Sequence, residues 1–79
     1  MIDGNTWPRL DTCWVQRVRG RYYTVTVVED GLVVRRGAGN TTGAVVRGVQ
    51  RGDLTWDEAR RIVASMLAGL ADSDVAAGD

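Results

Sequence analysis

Residues 55–70, TWDEARRIVASMLAGL, carry the strongest structural pattern in this sequence, and the rest of the chain is interpreted around them. Apolar residues recur there at intervals of three and four, which places them on one stripe of an α-helix. They are Ala59, Ile62, Val63, Met66, Leu67 and Leu70. Thr55 and Glu58 have the spacing of a capping box, in which each side chain accepts a hydrogen bond from a free backbone N–H of the first turn. The segment therefore predicts one amphipathic helix, whose apolar stripe must pack on another element.

Four segments before this helix are rich in β-branched and aromatic residues, which is typical of strands. They are residues 12–18, 21–29, 32–36 and 44–51. Arg19-Gly20 and Asp30-Gly31 predict tight hairpin turns between the first three, and the glycine-rich stretch 37–43 predicts a loop before the fourth. We therefore predict an α+β fold, a four-stranded antiparallel β-meander with one C-terminal α-helix packed across one face.

The length of 79 residues indicates a single domain, near the lower size limit of a domain that one hydrophobic core can stabilise. We assign residues 1–11 to an irregular N-terminal arm, 12–71 to a single β4-α domain and 72–79 to a flexible acidic tail. Pro8 forces Trp7 into an extended geometry. We expect Trp7 to pack against the edge of the domain, the alternative being that it is an exposed contact residue.

Alternation along the strands predicts two different sheet faces. With the two turns above, Val18 pairs with Arg21 and Glu29 pairs with Leu32. The face expected under the helix then contains Trp14, Val18, Tyr23, Val25, Val27, Leu32 and Val34. The opposite face, here called the reverse face, contains Cys13, Val15, Arg17, Tyr22, Thr24, Thr26, Val28, Val33 and Arg35. Because nothing left in the chain is long enough to cover it, we expect the reverse face to be open, as a solvated surface or as a contact surface.

The residue types present argue against catalysis. The chain has no His, no Lys and a single cysteine, Cys13, so it offers neither an intrachain disulfide nor a Cys/His zinc site. General acid–base chemistry would fall to carboxylates, most of which lie in turns, at the helix start or in the tail. The loop 37–43 lacks the Gly-Lys-Ser/Thr of a phosphate-binding loop. We predict a protein that is not an enzyme, with no catalytic residue, no cofactor and no metal.

Composition also bears on location and source. No apolar run is long enough to span a membrane, and the first ten residues lack the features of a signal peptide, so we expect a cytoplasmic protein with no membrane association. Every cation is Arg, and Lys, His and Phe are all absent. Strong GC bias in coding DNA would leave this composition, so we expect the source to be a high-GC bacterium or one of its phages.

An open sheet face, a small core and missing catalytic residue types together favour a binding protein. We predict a small non-enzymatic module that acts by protein–protein contact through the open sheet face, as an accessory or inhibitor protein. The partner is expected to be another protein or a second copy of the chain, which would give a homodimer. The predicted partner-binding residues are Arg17, Tyr22, Thr24, Thr26 and Arg35.

The uneven distribution of charge leaves nucleic acid as an alternative partner. Residues 1–51 hold eight Arg against four carboxylates, whereas 52–79 hold two Arg against six carboxylates. In this alternative, phosphates are contacted by Arg17, Arg19, Arg21, Arg35, Arg36 and Arg47. The formal net charge of zero counts against it, since nucleic-acid affinity rests largely on a basic surface. We therefore predict nucleic acid as the less favoured partner.

Overall fold

The computed structural model describes residues 6–78 and confirms the predicted α+β fold. Four strands form one antiparallel sheet in the order β1-β2-β3-β4, and a single helix follows them. The elements are β1 (Cys13–Val18), β2 (Arg21–Val28), β3 (Gly31–Arg36), β4 (Arg47–Gln50) and α1 (Trp56–Gly78). Each strand is joined to its neighbour in sequence, so the sheet is a simple meander.

The core lies between α1 and one face of the sheet. The sheet contributes Tyr23, Val25, Val27, Leu32, Val34 and Val49, and the helix contributes Ala59, Val63, Leu67, Leu70 and Ala71. Five of the seven residues predicted under the helix are buried, and the other two, Trp14 and Val18, are half-buried against this cluster. The prediction that Ile62 belongs to the packed stripe is wrong, because 41% of its surface is exposed. The contact stripe follows Val63, and Ile62 lies about 100° around the helix from it.

The first hairpin has the predicted register, with Val18 opposite Arg21. The second is shifted by two residues from the prediction, so Val28 lies opposite Gly31 and the turn consists of residues 29–30. A shift of two keeps every side chain on its own face, and the predicted faces are therefore unaffected. Gly31 belongs to β3 through its pairing with Val28 and Gln50. The position requires glycine because its φ is 147° and the Val49 carbonyl oxygen occupies the space that a Cβ would need.

The described part of the N-terminal arm packs on the helix side of the sheet. The Trp7 indole N–H donates to the Leu54 carbonyl oxygen at 3.1 Å, and its ring centroid lies 5.3 Å from that of Trp56. Trp7 therefore packs against the edge of the domain, as predicted. Residues 1–5 of the arm lie outside the described residues.

The helix begins as predicted but ends later. The capping box is confirmed, since the Thr55 N–H donates to Glu58 Oε1 at 3.0 Å and the Glu58 N–H donates to Thr55 Oγ1 at 3.1 Å. At the other end α1 continues to Gly78, so the boundary predicted at residue 71 is wrong. The apolar stripe ends at residue 71. The helix continues beyond it because polar contacts with the sheet hold the following residues, and the apolar pattern does not predict such contacts. Asp79 lies outside the described residues.

Candidate protein-binding surface

The reverse face is not open along its whole length. Thr24 is completely buried, and its hydroxyl donates to the Gly37 carbonyl oxygen at 2.7 Å and accepts from the Asn40 N–H at 3.2 Å. Thr26 retains only 8% of its exposure. The expectation that Thr24 and Thr26 present contact atoms to a partner is therefore wrong, because both side chains are buried. At Thr24 the cause is the segment after β3, which folds back over it.

This covering loop, residues 37–46, is held by its own hydrogen bonds. The Asn40 side chain accepts from the Gly43 N–H at 2.9 Å and donates to the Arg36 carbonyl oxygen at 3.1 Å. The Arg35 guanidinium is half-buried and donates through Nε to the Gly43 carbonyl oxygen at 2.8 Å. Arg35, predicted as a contact residue, therefore supports the loop from below.

The exposed part of the reverse face lies on the first hairpin. It consists of Cys13, Val15 and Arg17 on β1 and Tyr22 on β2, and it is called the hairpin face below. Val15 is 45% exposed and Tyr22 is 48% exposed, although both are large apolar side chains. Arg17 pairs with Tyr22 across the strands, and its guanidinium carbon lies 5.8 Å from the ring centroid. Tyrosine and arginine side chains are enriched in protein interfaces.

The hairpin face borders an open edge of the sheet. Within residues 6–78, β1 pairs with β2 on one side only. The Val27 N–H donates to the Thr12 carbonyl oxygen at 2.8 Å, and hydrogen-bonded pairs alternate along an antiparallel ladder. The backbone N–H and C=O groups of Cys13, Val15 and Arg17 therefore point away from β2. Such a row of free groups can accept another strand.

Of the site residues predicted from sequence, only Arg17 and Tyr22 meet on this surface. Alternation had placed Cys13 and Val15 on the same face, but their residue types gave no reason to select them. Val15 is exposed on this surface because it lies on an edge strand, where a neighbouring strand flanks its side chain on one side only.

Most of the arginines predicted to contact phosphates bond to other groups of the chain, although their side chains remain largely exposed. Arg19 forms an ion pair with Asp72 at 2.6 Å, and Arg36 forms one with Asp74 at 2.8 Å. Arg21 donates to the Asp74 carbonyl oxygen at 3.1 Å. With Arg35 bound to its loop, four of the six predicted residues bond to oxygen atoms of the chain, and the remaining two are Arg17 and Arg47. Two of the four, Arg19 and Arg36, pair with carboxylates of the acidic half.

Asp74 is the centre of a polar cluster that anchors the end of α1 to the sheet. Its carboxylate accepts from the Tyr23 hydroxyl at 2.8 Å and from two nitrogens of Arg36 at 2.9 and 2.8 Å. The hydrogen bonds from Arg36 and then Tyr23 lower the pKa of Asp74 to about 2. Burial, followed by the hydrogen bond to Asp74, raises the pKa of Tyr23 to about 12, so its hydroxyl keeps the proton that it donates. The hydrogen-bonding groups of Asp74, Tyr23 and Arg36 are thus paired with one another, and we assign the cluster a structural role.

The Asp74→Asn variant is expected to lower the melting temperature at pH 7 by several degrees, because it removes the charge that binds Arg36. The pKa of Asp74 is depressed in the folded state from its ordinary 3.8, so the wild-type carboxylate contributes stability above about pH 4 and loses it as the pH falls towards 2. Thermal melts from pH 7 to pH 2 should therefore show the two proteins converging in acid.

Asp72→Asn is the matched control for this prediction. Asp72 lies on the same helix, but it and its partner Arg19 keep 58% and 59% of their side-chain exposure. Exposed ion pairs contribute little to stability, so this variant should melt close to wild type. Equal melting temperatures for the two variants across this pH range would contradict the role given to Asp74.

A concave surface lies between β1 and the start of α1, apart from the hairpin face. It is an open groove of about 440 Å³ lined by Trp14, Gln16, Trp56, Arg60, Val63 and Ala64. The Trp14 indole N–H donates to Gln16 Oε1 at 3.2 Å, and its ring meets that of Trp56 edge-on at a centroid distance of 5.9 Å. The indole N–H is thus satisfied within the chain, and the groove presents aromatic surface next to the edge of β1.

Comparisons of the chain with protein-family models, curated proteins and solved structures give no match. Over residues 6–78 there is no group of three metal-ligating side chains close enough to share an ion. In the same part of the chain, no helix has the length and hydropathy needed to cross a membrane.

Proposed function

We propose that this protein is a small non-enzymatic binding module that acts by protein–protein contact through the hairpin face. The observation that carries the proposal is the exposure of two apolar side chains on one sheet face, Val15 at 45% on the unpaired edge strand β1 and Tyr22 at 48% on the neighbouring β2. Apolar side chains in this position lose contact with water when a partner strand or surface covers them, which favours association.

The contact is polar as well as apolar. Arg17 stands over the Tyr22 ring, and the pair can present a charge and an aromatic surface together. The free N–H and C=O groups of β1 add directional hydrogen bonds when an extended segment pairs with the edge. This combination supports strand addition as the mode of binding.

Protein is favoured over nucleic acid by the distribution of ion pairs. Asp74 binds Arg36 through its carboxylate and Arg21 through its carbonyl oxygen, so a phosphate backbone would have to compete with contacts already made. Arg17 and Arg47 alone supply few phosphate contacts, and nucleic-acid affinity grows with the number of phosphates neutralised.

Site-specific photocrosslinking tests the proposal. Tyr22 is replaced by the photoreactive amino acid p-benzoylphenylalanine, which keeps an aromatic ring in place, and the protein is irradiated in the cells that naturally encode it. We expect a discrete crosslinked protein product. The same replacement at Ile62, which is 41% exposed on α1, is the matched control and should give no such product.

Two outcomes would overturn the proposal. One is a crosslinking result at position 22 that does not differ from the control, with either no product at all or the same products as position 62. The other is tight binding of a labelled oligonucleotide whose affinity falls steeply with salt concentration and is lost in the Arg17→Glu variant, since that result assigns the surface to nucleic acid.

A further inference from the structure

We propose that the open edge of β1, which borders the hairpin face, binds a second copy of this chain, with the two β1 strands paired antiparallel about a twofold axis at Val15. The two four-stranded sheets would then form one continuous sheet of eight strands. This inference rests on the proposed function, because it identifies the partner of the same surface.

The backbone of β1 can pair with itself in a register centred on Val15. Residues with outward N–H and C=O groups must face residues with outward groups, and these are Cys13, Val15 and Arg17. With Val15 opposite Val15 of the second copy, Cys13 and Arg17 also lie opposite each other. All three pairs can then exchange two hydrogen bonds each. A shift of two residues in one direction would pair Cys13 with Arg19, which lies in the turn and has a φ of 51°.

Side chains also match in this register. Arg17 faces Cys13 of the second copy, so the two guanidinium groups avoid each other. The two Val15 side chains meet at the axis, where each covers surface that is now exposed. On the helix side Trp14 faces Gln16 of the second copy, next to the aromatic groove. The chain has a formal net charge of zero, so no long-range repulsion opposes the approach of two copies.

β1 also lacks most of the features that keep edge strands apart. Its sequence, CWVQRV, contains no proline and one charged residue. The irregular backbone at Asp11, with a φ of 68°, lies before the strand and leaves residues 13–18 regular. Protected edges usually carry charges, proline or a bulge within the strand. The other edge strand, β4, has only four residues and contains Gly48, so it offers a shorter surface.

Sedimentation equilibrium of the full purified chain tests the inference. We expect the mass to rise from 8.6 kDa towards twice that value as concentration increases, with a dissociation constant of about 1–100 μM because two short strands bury less area than a standard interface. Val15→Pro removes an N–H that points to the open edge. It leaves the hydrogen bonds between β1 and β2 intact. This variant should stay monomeric, while the β-branched Val15→Thr should still dimerise.

Crosslinking gives a second measurement that does not depend on the folding of the proline variant. In the proposed dimer, the Cα of the cysteine introduced by Arg17→Cys lies about 5.5 Å from the Cα of Cys13 of the second copy, a separation that a disulfide can bridge. Within one chain positions 13 and 17 are about 13 Å apart, so the bond can form only between copies. Oxidation by glutathione should therefore give a covalent dimer. Tyr22→Cys, about 10 Å from Cys13 of the second copy, should not.

A wild-type chain that stays monomeric over this concentration range, or an Arg17→Cys variant that forms no more covalent dimer than Tyr22→Cys, would overturn the inference. The proposed function fails separately. If the purified chain is monomeric but position 22 crosslinks to a different protein in cells, the hairpin face is still a protein-binding surface and only the identity of its partner is wrong.

Discussion

Replacing Leu67 with alanine is expected to lower the free energy of unfolding by about 2–5 kcal/mol and to unfold much of the protein at room temperature. Leu67 is completely buried at the centre of the helix stripe, so the substitution leaves a cavity between α1 and the sheet. A domain of this size rarely has more than about 3–5 kcal/mol of stability from one core. Urea denaturation followed by circular dichroism measures the effect.

Ile62→Ala is the matched control for this substitution. It removes the same number of carbon atoms as Leu67→Ala from the same helix, but Ile62 is 41% exposed and the space it leaves opens to solvent. We expect it to cost less than about 1 kcal/mol. If Ile62→Ala were the more destabilising of the two, the core would lie on a different side of α1 from the one described.

The Gly31→Ala variant is expected to lower the free energy of unfolding by about 3 kcal/mol or more. Two effects add to the loss of stability. Residues other than glycine rarely adopt a φ of 147°, and the added Cβ would collide with the Val49 carbonyl oxygen. Because that oxygen belongs to the backbone of β4, relief requires β3 and β4 to separate. Loss of the cooperative urea transition, or a strongly reduced midpoint, is the expected measurement.

Gly20→Ala separates the two costs. Gly20 also has a positive φ, of 78°, but an added Cβ would meet no atom within 4 Å. This variant should therefore show the conformational cost alone, about 1 kcal/mol. Equal effects at Gly20 and Gly31 would mean that the close approach of β4 to Gly31 has no energetic consequence.

The ion pairs at the end of α1 change the meaning of the charge asymmetry. Carboxylates near the C-terminus of a helix face the negative end of its dipole, which is unfavourable. Here Arg19, Arg21 and Arg36 lie against that end of α1 and compensate for it. A basic sheet half, taken from composition alone, favours an external anionic partner. In the fold part of that charge, that of Arg21 and Arg36, is used to hold the last helical turns against the sheet.

Local patterns were enough to predict the elements and their faces. The i, i+3, i+4 spacing and the capping box located α1, and alternation in the strands assigned Tyr23, Val25 and Val34 to the buried side. The face assignment remained correct even though the second hairpin is shifted, because a shift of two residues does not exchange faces. These features depend on periodicity, which is a property of neighbouring residues.

The candidate surface could be predicted only in part. Arg17 and Tyr22 pair across a hairpin whose turn is visible in the sequence, so their contact follows from the register. Thr24 looked equally available, and its burial depends on a loop folding back to bond its hydroxyl. Whether a position on an exposed face is covered depends on segments distant in the chain, and no local pattern reports it.

By itself the sequence determined an α+β meander, the helix that covers it and the two faces of the sheet. The tertiary structure alone decided where the helix ends, which part of the reverse face stays open and where the arginine charges go. The physical reason is the range of the interactions. Periodicity and capping act within a few residues, whereas the contacts of Asp74 with Tyr23 and Arg36 join positions 51 and 38 residues apart.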